Sequence, residues 1–199
     1  AGGKVELAAN GKYATKPDVA VVVFGEDPYA EFQGDLPNLM FKAGKSGDLE
    51  LIRKLKADGI PVVAVFLSGR PLWMNREINA ADAFVAAWLP GSEGAGIADV
   101  LLRKPDGSVA HDFKGKLSFS WPRNAGDAQF AFGHGLTYAD DGNLAKLPEV
   151  SGVTGVQATA GVYLSRGSVA PGLNLRLENA QGHAAQVTTL TAALHDNSI

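Results

Sequence analysis

The sequence predicts an α/β fold: a mostly parallel sheet sandwiched by helices, followed by a short β-rich extension. Two apolar runs, Val19–Phe24 and Val62–Leu67, are continuous rather than alternating, the pattern of strands covered on both faces. Between them Leu49, Ile52, Leu55 and Lys56 recur at helical spacing. Beyond about Ser151 the texture turns to alternation, which is the mark of half-exposed strands.

In chain order, Ala1–Pro17 is rich in Gly, Lys and small residues and has no sustained period, so it reads as an arm or connector. The strand at 19–24 is bounded by Asp18 and Gly25. A helix is expected over Ser46–Asp58, with Ser46 as candidate cap and Gly59-Ile60-Pro61 as the stop. The strand at 62–67 follows at once, and strand, helix, strand with short connections is the parallel crossover unit. A short polar helix near Trp73–Ala80, a third apolar run at Ala83–Leu89 and a helix over Gly94–Leu102 extend the same layout. Lys104-Pro105-Asp106-Gly107-Ser108 has hairpin chemistry, because Asp-Gly readily supplies positive φ angles. Domain boundaries are therefore placed at 1–17, 18–150 and 151–199. In the last of these Val156–Leu164, Leu173–Leu177 and Val187–Leu194 read as strands of a truncated β module.

The totals exclude several function classes. With 199 residues, 46% of them hydrophobic, the chain can bury one good core. Its net charge is -3 and its 18 basic residues are scattered, so there is no electrostatic footprint for nucleic acid or an anionic membrane. No apolar run approaches the roughly 20 residues of a membrane helix. The absence of cysteine removes disulfides, thiol nucleophiles and zinc-thiolate sites, and four dispersed histidines do not outline a metal centre. No metal or other cofactor is called for, and no signal peptide is visible in Ala1–Asn10.

The chemistry concentrates between Gly25 and Asp35, where Glu26, Asp27, Glu31 and Asp35 place four carboxylates just beyond a strand's carboxyl end. That is where ligands sit in open α/β sheets. The phrase Gly25-Glu26-x-Pro28-Tyr29-x-Glu31-x-x-Gly34-Asp35 resembles the acid/base loop of glycoside hydrolase family 3, in its exo-β-glucanase and β-glucosidase branch. Leu67–Pro71, Ala86–Gly94, Gly115–Pro122 and Phe132–Tyr138 resemble further family phrases in the same order. The likeness covers residues 18–140 and does not extend over the last sixty or so. His134 replaces an aromatic residue and Ala30 a small hydroxyl residue of the family pattern.

The resemblance implies that Glu31 is the general acid/base of a retaining glycosidase, in which a second carboxylate about 5 Å away acts as nucleophile. Such an acid stays protonated near neutrality through burial or like-charged neighbours, and Tyr29, Phe32, Asp27 and Asp35 flank it in sequence. The resemblance also implies that the nucleophile is an Asp on a preceding barrel domain, which nothing in this chain resembles. The chain alone is expected to be an inactive lobe, with the barrel as partner, a β-glucan oligosaccharide or β-glucoside as substrate, and a periplasmic or secreted setting.

Around Glu31, Asp35 is a candidate for orienting the loop or bonding sugar hydroxyls, and Glu26 for a structural role. Arg70, at the end of the second strand, is a candidate partner for a loop carboxylate such as Glu31 or Asp35. Trp73 is the tryptophan best placed for stacking on a sugar, whereas Trp88 and Trp121 read as packing. Gly91–Gly96 opens a helix, yet Glu93 in its middle argues against an anion. Ala43-Gly44-Lys45-Ser46 fails as a P-loop because Leu39 stands where a glycine is needed, and Ser68 fails as a nucleophile elbow because Phe66 does. The rival reading is a non-catalytic carbohydrate-binding or scaffold module. A nucleotide-binding domain rests on fold and glycine turns alone.

Overall fold

The computed structural model describes residues 3–8, 11–29, 34, 38–41, 47–124 and 126–152, together with the backbone of four short strands beyond them. Two compact units divide at Gly155/Val156. The first is built on a parallel sheet of three strands in the order β1 (Ala20–Gly25), β2 (Val62–Leu67), β3 (Ala83–Trp88). Helix α1 (Gly47–Ala57) connects β1 to β2 and α2 (Asn75–Ala80) connects β2 to β3. Each strand is one step further across the sheet, so crossovers of one hand bring both helices to the same face.

Helix α1 forms where the apolar spacing predicts it, and Leu49, Ile52 and Leu55 are its buried stripe. Asp48 and Glu50 in the first turn and Lys54 and Lys56 in the last complement the helix dipole. The helix stops in a Schellman motif: Ile60 N–H donates to Leu55 O at 3.0 Å and Gly59 N–H to Lys56 O at 2.9 Å, with Gly59 at φ 71°. Leu55 and Ile60 then meet in the core, the apolar contact that accompanies this motif. Ser46, the expected cap, lies outside the described residues.

The core sits between the helices and one face of the sheet. Val22 and Phe24 of β1, Ala64 and Phe66 of β2, and Ile52 and Leu55 of α1 are its centre. Phe66 touches three other rings, with centroids 5.5 Å from Phe24, 5.1 Å from Phe41 and 6.1 Å from Phe84. Burying each such side chain contributes about 1.5–3 kcal/mol.

The first strand corrects one expectation. Its continuous apolar run predicts cover on both faces, but it alternates: Val22 and Phe24 are buried, whereas Val21 is 51% and Val23 59% exposed. As the outer strand of the described sheet it receives cover from α1 on one side only, while Val65 of the central strand is buried.

After α3 (Gly94–Leu101), the Asp-Gly turn closes as expected, with Arg103 bridging Val109 and Gly107 at φ 83°. An antiparallel pair, β4 (Trp121–Asn124) and β5 (Asp127–Phe130), then adds Trp121 to the core. The two glycine-rich phrases near it hold each other: Leu117 N–H donates to His134 O and Gly133 N–H to Leu117 O. Asn79 of α2 treats Leu147 as a sheet partner would, its Oδ1 accepting from Leu147 N–H and its Nδ2 donating to Leu147 O, both at 2.9 Å. Four residues earlier on the helix, Asn75 Nδ2 donates to Pro148 O, so two amides strap this segment down.

The second unit contains two antiparallel pairs, β6 (Leu164–Ser165) with β7 (Ser168–Val169) and β8 (Leu175–Glu178) with β9 (Ala184–Val187). Of the strands expected at Val156–Leu164 and Leu173–Leu177, Leu164 and residues 175–177 are in strands, and 156–163 and 173–174 lie outside the described residues. Most of Val187–Leu194 lies outside the described residues.

Candidate functional site

Parallel pairing brings the three carboxyl ends to one edge. Gly25 stands opposite Leu67 and Leu67 opposite Trp88, so the chain leaves all three strands at one level. The β2–β3 register shifts between Phe66 and Leu67, and Trp88 adopts the left-handed region at φ 55°. A bulky residue carries backbone strain there, of order 1–3 kcal/mol. Two contacts meet it: Ser68 N–H donates to Trp88 O at 3.2 Å, and its ring packs 6.2 Å from Trp121.

One step beyond the strands, Glu26 follows Gly25 as Ser68 follows Leu67, and a polar cluster forms between them. Arg70 Nη2 and Nε donate to Glu26 Oε1 at 2.8 and 3.2 Å. The second oxygen, Oε2, lies 2.6 Å from Ser68 Oγ. That hydroxyl also lies 2.8 Å from Arg70 O, and its single proton goes to the carboxylate, the stronger acceptor. Arg70 N–H donates back to Ser68 Oγ at 3.1 Å. Ser68 is buried, and the Arg70 and Glu26 side chains are mostly shielded from solvent.

Arg70 reaches further along the loop. Its Nη1 donates to Gly34 O at 2.5 Å, and its guanidinium carbon lies 4.5 Å from the centroid of the Tyr29 ring. Tyr29 is wedged tightly between two glycines. A Cβ on Gly34 would stand 2.6 Å from Tyr29 Cδ2, and one on Gly69 2.4 Å from its hydroxyl.

Among the residues singled out from sequence, Arg70 and Glu26 are brought together. Glu31 and Asp35 lie outside the described residues. Where the sequence offers Glu31 or Asp35 as partners of Arg70, the carboxylate it is seen to hold is Glu26. The signal was present: residues immediately following two adjacent parallel strands are neighbours. Tyr29, read as a neighbour of Glu31, sits on the guanidinium.

Trp73 is not placed for stacking. It is only 4% exposed, its indole N–H donates to Arg123 O at 2.8 Å, and its backbone bridges Met40. The arrangement of residues 39–41 alongside it, with Phe41 N–H donating to Trp73 O, buries what the sequence presents as a polar context after a turn. Trp121 is likewise core, and His134 stacks on Phe130 at 4.4 Å. Among the described residues no three His, Asp or Glu side chains gather in metal-binding geometry.

Comparison with known proteins agrees with this layout. The family model for the glycosyl hydrolase family 3 C-terminal domain matches residues 3–138. A periplasmic beta-glucosidase of Salmonella typhimurium is 36% identical over 123 residues, 61% of this chain and 15% of that protein. A lysosomal beta glucosidase of Dictyostelium discoideum is 32% identical over 136 residues, 67% of this chain and again 15% of the relative. The chain thus spans about a seventh of the length of these curated relatives. The solved exo-1,3/1,4-beta-glucanase of a Pseudoalteromonas species superposes with a TM-score of 0.73 at 45% identity, covering 94% of this chain and 24% of that one. A Q683A mutant of the same enzyme gives 0.73 at 55% identity, covering 75% of this chain and 26% of that one. Coverage of 94% carries the likeness well past residue 140, where the sequence phrases stop. The matched model, the relatives and the fold agree: the chain belongs to glycoside hydrolase family 3 and carries that family's C-terminal domain.

Proposed function

We propose that this chain supplies the acid/base loop of a retaining, exo-acting β-glucosidase or β-1,3(1,4)-glucanase, with Glu31 as the proton donor and a nucleophilic Asp contributed by a separate barrel domain. The observation that carries the reading is the position of the acidic loop. It leaves the carboxyl end of β1, and Arg70, at the carboxyl end of β2, holds it through Glu26 and Gly34. Ligands of open α/β sheets occupy this edge. The names of the relatives, two beta-glucosidases and an exo-1,3/1,4-beta-glucanase, support a β-glucoside as substrate, and the periplasmic and lysosomal descriptions support action outside the cytosol. Asp35 is proposed to help orient the same loop.

General acid catalysis contributes about 10²–10⁴-fold, and most when the leaving group is a poor one. The test is a chimera in which this chain replaces the matching segment of the Pseudoalteromonas exo-glucanase. Glu31→Gln should lower kcat/KM for cellobiose or laminaribiose by about 10²-fold or more while sparing kcat/KM for activated aryl glucosides more. Unchanged turnover of the disaccharides would refute the role. The chain by itself should hydrolyse none of them, because the two carboxylates act as a unit.

A further inference from the structure

We propose that Arg70 is the positioning residue of the acid/base loop: a guanidinium that grips the loop at both described ends, with Glu26, Ser68 and Tyr29 as its supports. The proposal rests on the reading of Glu31 given above and adds to it a mechanism for holding that residue in register. Three of the five N–H donors of Arg70 are committed to the loop: Nε and Nη2 to the Glu26 carboxylate, at its start, and Nη1 to the Gly34 carbonyl, at its end. Seven residues separate those anchors in the chain, and Glu31 is one of them.

Each support has a distinct job. Ser68 occupies the second oxygen of Glu26, so the carboxylate cannot rotate without losing either the hydroxyl or the guanidinium. The Tyr29 ring covers the guanidinium face and restricts its swing, while Gly69 and Gly34 leave the room that this ring needs. Ser68 is fixed in turn by its backbone bond to Trp88, the residue held at positive φ, so the clamp is tied to all three strands. A lysine could not replace the arginine here, because an ammonium is a single point of charge and cannot hold a carboxylate and a carbonyl in one rigid fork. The described contacts of Arg70 are all to its own chain, so its proposed action runs through the loop and the acid.

Misplacing a catalytic group by about 1 Å costs on the order of 10²-fold. In the chimera, Arg70→Lys should lower kcat/KM for cellobiose by about 30–100-fold and kcat/KM for an activated aryl glucoside by less than about 5-fold, while the shared second step, in which the same carboxyl acts as base, slows for both and lowers kcat and KM of the aryl glucoside together. Glu26→Gln should show the same leaving-group split more weakly, and the double variant should fall short of the product of the two. Equal losses of kcat/KM on both substrates, or no loss, would overturn the proposal.

Two controls separate its failure from that of the parent reading. If Glu31→Gln is silent, the acid is elsewhere and both fall. If Glu31→Gln is crippling while Arg70→Lys is silent, only the clamp falls. On the 199-residue chain itself, Arg70→Lys should raise deuterium uptake in a peptide covering residues 26–34 and leave peptides from α1 and β2 unchanged. Unaltered uptake there would refute the grip whatever the kinetics of the chimera.

Discussion

A single added methyl group tests the geometry at the root of the loop. A Cβ on Gly25 would lie 2.2 Å from the Leu67 carbonyl oxygen and 2.9 Å from Leu67 Cβ. Real contacts of this kind start above 3 Å, so β1 and β2 would have to part by close to 1 Å. The same carbonyl accepts the Glu26 N–H at 3.0 Å, and a displacement of that size breaks the bond. Losing it costs about 0.5–1.5 kcal/mol, and forcing extra volume into packed structure about 1–3 kcal/mol. Gly25→Ala should therefore destabilise by about 2–4 kcal/mol, which lowers Tm by roughly 4–16 °C for a chain of this size. Gly96→Ala is the matched control: an added Cβ meets nothing within 4 Å inside α3, so the same methyl should stabilise by about 0.4–1 kcal/mol. Urea denaturation followed by circular dichroism reads both. If Gly25→Ala falls within about 0.5 kcal/mol of the parent, the close approach of the strands is wrong.

Two carboxylates should give opposite pH dependences. Burial pushes the Glu77 carboxyl above its ordinary value, so its ionisation opposes folding and stability drops as pH rises through the raised value; Glu77→Gln should flatten that fall in denaturant titrations run from mildly acidic to neutral pH. Asp82 is held below its ordinary value, first by the Lys56 ammonium and then by the Val62 N–H, so its contribution is present at neutral pH and is lost as pH falls through the lowered value; Asp82→Ala should cost about 1 kcal/mol at neutral pH and less in strong acid. Asn79→Ala removes two hydrogen bonds to Leu147 and should cost about 1–3 kcal/mol, with faster tryptic cleavage at Lys146 as the local readout. Unchanged cleavage there would mean the strap does not hold the segment.

The layers of the fold were legible because they depend on periodicity. The stripe of Leu49, Ile52 and Leu55, the stop at Gly59 and the apolar runs of β2 and β3 each carry a local signal that the packing then uses. The exposure of Val21 and Val23 was not legible, since an edge strand and a central strand of a parallel sheet have the same composition and differ only in their neighbours. At the site, composition pointed to the loop but not to its partner. Arg70 had several carboxylates within sequence reach, and only the level at which β1 and β2 end selects Glu26. Trp73 misled for a similar reason, because its burial depends on residues 39–41, more than thirty positions away, closing over it.

The grip of Arg70 has a consequence for how such a loop diversifies. Its contacts fall on one side chain near the start, Glu26, and on a main-chain oxygen at the end, Gly34. Side chains at positions 30, 32 and 33 can be exchanged in the sequence without altering either chemical group. A change at position 26 or 70 that removes the charge, by contrast, strips its partner of a counter-charge in one step.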